Sequence, residues 1–125
     1  MSESITSFTT VVPYWRPRIT PLDMYEASNE QLEAMKVTTS NVKIGEFIRV
    51  LALDPETLLN LTPLLNEIVF SPDGLSRPET ELGAVSASVV NRSIYCAAAH
   101  SHQYNQLTDD DSLMDSIFSP GDSTD

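Results

Sequence analysis

Three helix starts constrain the fold of this chain before its composition is consulted. Ser28 with Gln31, and Ser76 with Glu79, are hydroxyls followed three residues later by Gln or Glu. At that spacing side chain and backbone satisfy each other's free N–H groups at a helix start. Asp54-Pro55-Glu56 is the third start. Asp54 can cap, Pro55 needs no N–H partner at the first helical position, and Glu56 suits the positive end of the dipole. Apolar residues then recur at helical spacing. A helix is expected within 22–36, capped at Ser28, with Leu32 and Met35 on one face. A second, over 43–53, carries Ile44, Phe47, Ile48 and Leu51. From Pro55 the stripe Leu58, Leu61, Leu65 and Ile68 should be buried, and Pro63 should kink the helix or split it in two. Residues 71–74, Ser-Pro-Asp-Gly, form a turn. The helix capped at Ser76 should run to about 91 with Leu82, Val85 and Val89 inward. Its small residues Ala84, Ser86, Ala87 and Ser88 allow a neighbouring helix close by. A last helix covers 93–106. No stretch alternates with period two, so the expected fold class is all-α.

The 125 residues are enough for one modest core, and a hydrophobic content of 41% suits a globular chain. The formal charge of −11 argues against a nucleic-acid backbone or an anionic membrane surface as partner. Much of that charge is local: Asp109, Asp110, Asp111, Asp115, Asp122 and Asp125 fall in the last 17 residues without a Lys or Arg. The expected organisation is an extended N-terminal segment over 1–21, a helical domain over 22–107 and an acidic disordered tail over 108–125. Pro13, Pro17 and Pro21 keep the first segment extended, with Trp15 as its anchor on the body. In the tail, Leu113, Met114, Ile117 and Phe118 could form a short docking turn. The N-terminus lacks a secretory pattern and no apolar run is long enough to span a bilayer, so a cytoplasmic location is expected.

The residues that look like chemistry lie in 81–100, ELGAVSASVVNRSIYCAAAH. Cys96 is the only cysteine, and His100 follows it by one helical turn on the same face. With Ser93 as N-cap, Cys96 takes the third helical position, where the dipole and free N–H groups favour an anion. Each residue also has a plainer role. Cys96 could be a small buried hydrophobe, Glu81 a solvent-facing carboxylate and Ser93 only a helix cap. Tyr95 could line a pocket or pack. His102 sits two residues from His100 and so points elsewhere, and Cys96 with His100 is short of the three ligands of a catalytic zinc. No metal and no cofactor are expected, and His102 belongs on the surface or at a subunit contact.

Glu81, eleven residues, Ser93, two residues, Cys96, three residues and His100 resemble the E-x11-C-x2-C-x3-H signature of the carboxymuconolactone decarboxylase / alkylhydroperoxidase D-like family. IRVLALDPETL and GLSRPETELGAVSASVVN upstream are similar to that family's peroxidase-related branch, and the resemblance covers roughly 13–104. It implies a helical bundle of that family, here truncated after the motif helix. It also implies a thiol peroxidase with Cys96, His100, Glu81 and Ser93 at the site and a small hydroperoxide as substrate. In that scheme Cys96 is the peroxidatic thiol, His100 holds or relays its proton and Glu81 orients the imidazole. Ser93 stands where the family has its first cysteine, so the usual dithiol cycle is closed to this chain and an external thiol reductant is implied. The alternatives are a decarboxylase-type lyase, with Arg77 or Arg92 contacting a substrate carboxylate, or a non-catalytic truncated relative acting in assembly. A homo-oligomer, or assembly with a longer paralogue, would cover the face left open by the missing helices.

Overall fold

A computed structural model describes residues 7–14, 16–36 and 44–119. Trp15 and the start of the helix expected from 43 lie outside the described residues. Six α-helices and no strand occur among them, so the chain is all-α as its periodicity predicts. They belong to two compact units, Arg16–Gly74 and Met1–Trp15 together with Leu75–Asp125. The division at Gly74 cuts through the stretch that the sequence suggests as one domain.

The unit Arg16–Gly74 contains α1 (Asn29–Met35), α2 (Glu46–Leu51) and α3 (Pro55–Phe70). Helix α1 opens with the predicted capping box: Gln31 N–H donates to Ser28 Oγ, and Ser28 N–H to Gln31 Oε1. Helix α2 is shorter than expected because Gly45, without a capping side chain, is its N-cap. Asp54 caps α3 as predicted, accepting from the Thr57 hydroxyl and Thr57 N–H, and these bonds hold its carboxyl below the ordinary range. That capping contribution is present at neutral pH and is lost as pH falls through the depressed value.

The core of this unit is Leu22, Ala34, Met35, Ala52 and Leu58. Leu22 is fixed twice, its N–H donating to Arg49 O at 3.2 Å and its carbonyl accepting from Arg49 Nη1 at 3.1 Å. Two expectations for α3 are corrected. The helix runs through Pro63 unsplit. Pro63 and Leu59 are both exposed, so the carbonyl deprived of its N–H partner can turn to water. The predicted stripe is not uniformly buried: Leu58 is 1% exposed, but Leu65 is 47% and Ile68 55% exposed. Leu58→Ala should therefore lower stability by about 2–5 kcal/mol, and Leu65→Ala by well under half of that. Urea unfolding of the two variants measures the difference.

The other unit contains α4 (Arg77–Val90), α5 (Ile94–Thr108) and α6 (Ser112–Phe118). The capping box of α4 forms as predicted: Ser76 Oγ and N–H both donate to Glu79, and Glu79 N–H donates to Ser76 Oγ. The Ser76 hydroxyl first, and its N–H second, hold the Glu79 carboxyl below its ordinary value.

Helices α4 and α5 form a hairpin through three residues. Asn91 is the C-cap of α4, and Arg92 follows in the left-handed region at φ 55°. Arg92 N–H donates to Val89 O and Ser93 N–H to Ser88 O, which is the Schellman pattern with arginine where glycine is usual. Ser93 is at once the second residue past α4 and the N-cap of α5, so the register of α5 is fixed directly by the end of α4. Val85 on α4 and Ala97 and Ala98 on α5 are buried, as are Ser88 and Ser101. The two buried hydroxyls donate within their own helices, to Ala84 O and Ala98 O, so neither is left unsatisfied.

The expectation of disorder from 108 onward is corrected for Ser112–Phe118, which is helical. Asp109 ends α5 in the left-handed conformation, and Asp110 Oδ1 accepts from Ser112 N–H as the next helix begins. Met114 is fully buried, and the Phe118 ring stacks on Phe8 at 5.6 Å. The apolar residues of the acidic stretch thus bury enough surface to order it despite its charge.

Candidate active site

Helix α4 carries Arg77 and Glu81 one turn apart, and α5 carries Cys96 and His100 one turn apart. Because the hairpin is tight, Glu81 faces His100 across the pair. Glu81 Oε2 lies 2.6 Å from His100 Nδ1. Its other oxygen, Oε1, lies 2.7 Å from Arg77 Nη2. The Glu81 side chain is only 7% exposed, between Arg77 at 28% and His100 at 43%. A solvent-facing Glu81 is thereby ruled out. A carboxylate so enclosed requires compensation, and here each oxygen has its own partner.

Since a carboxylate can only accept, the hydrogen of a neutral His100 ring belongs on Nδ1, which leaves the Nε2 lone pair available. Cys96 is a free, exposed cysteine in the first turn of α5. It is not the buried packing residue that lone cysteines often are. Cys96 and His100 share the exposed side of one helix, and no hydrogen bond joins them among the described residues. A proton passing between them would need a bridging molecule.

Ser93 is the N-cap by position, with φ −87° and ψ 90°, but its side chain makes no capping bond. Its backbone does the work, donating to Ser88 O and accepting from Ala97 N–H. Tyr95 and His102 are exposed, as the surface assignment of His102 requires. No cluster of three or more His, Cys, Asp or Glu able to hold a metal occurs among the described residues. No helix among them is long and apolar enough to cross a membrane. The lyase alternative offered Arg77 only as a contact for a substrate carboxylate. Its actual partner is Glu81, and the i, i+4 spacing within one helix was the signal that could have shown it.

The hairpin of two helices thus sets an exposed thiol and an imidazole on one helix and a buried, arginine-paired carboxylate on the other, on an all-α scaffold. Residues 55–107 match the family described as the carboxymuconolactone decarboxylase family. The match spans α3, α4 and nearly all of α5, and so contains Arg77, Glu81, Ser93, Cys96 and His100. Neither the curated proteins nor the solved structures yield a match.

Proposed function

We propose that the protein is a thiol peroxidase of the alkylhydroperoxidase type that works with a single peroxidatic cysteine. One observation carries this reading: the buried Glu81 carboxylate holds His100 by Nδ1 on the helix face that also presents the exposed Cys96. In the mechanism, His100 Nε2 accepts the Cys96 thiol proton through one water, and Glu81 keeps the ring oriented as it does so. The thiolate sulfur attacks the terminal oxygen of a small hydroperoxide. The S–O bond forms as the O–O bond breaks, the sulfur is oxidised and the peroxide is reduced. The leaving alkoxide or hydroxide takes a proton from the imidazolium and departs as alcohol or water, leaving Cys96 as the sulfenic acid.

Ser93 cannot resolve that sulfenic acid. An external thiol, or Cys96 of a second copy, condenses with it to a disulfide and releases water; a further thiol then reduces the disulfide. The lyase reading has less support, because it needs a free cationic group to hold a substrate carboxylate. Arg77 is engaged with Glu81, which leaves only the exposed Arg92 of the two for that role.

The test is intact-mass analysis after one equivalent of a small hydroperoxide in the presence of a sulfenic-acid trap. Rapid stoichiometric trapping at Cys96 is expected, slowed about 10²–10⁴-fold in His100→Ala by loss of the proton acceptor. Labelling no faster than that of an unassisted cysteine, and indifferent to His100, would overturn the proposal.

A further inference from the structure

We infer that Arg77 is a positioning residue, one that holds the Glu81 carboxylate in the rotation that presents Oε2 to His100. Its kinetic consequence rests on the proposed thiol chemistry; its geometry does not. Arg77 opens α4, directly after the Ser76 cap and before Pro78. Helix electrostatics do not explain a cation there. The first turn of a helix favours acidic residues, and a cation four residues before a glutamate is the weaker order of that pair. Arg77 is nevertheless half-buried, with Nη2 at 2.7 Å from Glu81 Oε1. The contact with Glu81, rather than the needs of the helix, accounts for an arginine at this position.

A glutamate side chain turns about three bonds, and the last of them has only a broad preference. Burial takes Glu81 out of water without choosing the plane in which its carboxylate lies. Two contacts on separate oxygens choose it: Arg77 at Oε1, and His100 Nδ1 at 2.6 Å from Oε2. These two anchors are not equivalent. Arg77 and Glu81 lie on one helix, so the backbone of α4 sets their spacing, and the Ser76–Glu79 capping box together with Pro78 fixes the turn that carries Arg77. The guanidinium also donates along directions fixed by its own plane. His100 comes from the facing helix, and its ring is the more exposed partner. Restraint therefore runs from the start of α4 through Glu81 to the ring that stands beside Cys96.

Arg77→Met keeps the apolar stem and removes the donor. The Glu81 carboxylate is then free to turn, and the His100 ring loses its fixed partner. Sulfenic-acid trapping at Cys96 should slow about tenfold, the low end of what loss of Glu81 itself is expected to cause. Because Arg77 acts through Glu81, the same substitution in a Glu81→Ala background should change the rate by less than about twofold. That double variant also removes the guanidinium left unpaired in Glu81→Ala, which favours its folding. Arg77→Lys retains a donor for Oε1 and should restore the rate toward the parent value. A merely structural Arg77 would slow trapping by the same factor in both backgrounds.

The experiment pairs these trapping rates, all taken at one pH on the full chain, with NMR relaxation of the His100 ring C–H bonds, which reports how firmly the ring is held. An ordered ring is expected in the parent and in Arg77→Lys, and a looser ring in Arg77→Met and Glu81→Ala. An unchanged ring in folded Arg77→Met would overturn the inference, as would equal slowing of trapping with and without Glu81. A loosened ring in Arg77→Lys would overturn it too, a result that stands even if Arg77→Met does not fold. If ring order follows Arg77 as expected while the parent traps no sulfenic acid, the peroxidase proposal fails and the positioning role of Arg77 stands.

Discussion

Glu81→Ala is expected to lose both stability and thiol reactivity. The substitution leaves the Arg77 guanidinium and His100 Nδ1 facing a void where a buried carboxylate had bonded both. Breaking a buried pair from one side costs about 3–5 kcal/mol, and the partial exposure of both partners lowers the expectation here to about 2–3 kcal/mol. Sulfenic-acid formation should slow about tenfold to a hundredfold, because a ring freed at Nδ1 is no longer held in one orientation. Glu81→Gln separates the two effects. Its amide oxygen can accept from His100 Nδ1–H, so orientation and most of the packing survive, while the charge opposite Arg77 is gone. The conservative variant should therefore recover more of the stability than Glu81→Ala and remain slower than the parent. Urea unfolding and trapping rates on the same samples decide this. A folded Glu81→Ala that reacts at the parent rate would mean the carboxylate serves packing alone.

Whether Glu81 reached His100 at all was not legible in the sequence, and the reason is physical. Cap residues and apolar periodicity are local signals, and Ser28, Asp54 and Ser76 marked three helix starts correctly. The crossing of two helices depends instead on the link between them, and Asn91-Arg92-Ser93 contains no glycine to announce a left-handed residue. Only the observed Schellman bonds show that α4 and α5 turn back at once, which brings residues nineteen positions apart into contact. Burial was misjudged where it depended on partners rather than on periodicity. Leu65 and Ile68 keep helical spacing with Leu58 yet remain half-exposed, while Glu81 is buried on the same face as Val85. In the acidic stretch Leu113, Met114, Ile117 and Phe118 stood out as a short docking turn, but the surrounding charge concealed that they belong to a helix, Ser112–Phe118, with Met114 buried and Phe118 stacked on Phe8.

Ser93→Cys should convert the one-cysteine site into a self-resolving one. Ser93 is half-buried and its hydroxyl makes no capping bond, so a thiol of similar size forfeits no side-chain interaction. The backbone bonds that place the residue, to Ser88 O and from Ala97 N–H, do not involve the side chain. The N-cap and the third helical residue lie within one turn, and Cα separations of about 4.4–6.8 Å are those a disulfide spans. After peroxide oxidises Cys96, the introduced thiol should attack its sulfur, forming the S–S bond and expelling water. The product seen by mass is then the reduced protein less two hydrogens, in place of the sulfenic acid. Dithiol reductants should restore it for repeated turnover. The same substitution in a Cys96→Ser background should form no intramolecular disulfide and react slowly with peroxide, since its thiol lies two turns from His100. If Ser93→Cys instead accumulated the trapped sulfenic acid to the parent extent, the first turn of α5 would not be poised for dithiol chemistry. The serine would then be a structural adaptation of the link between α4 and α5, and resolution would fall to an external thiol or to Cys96 of a second copy.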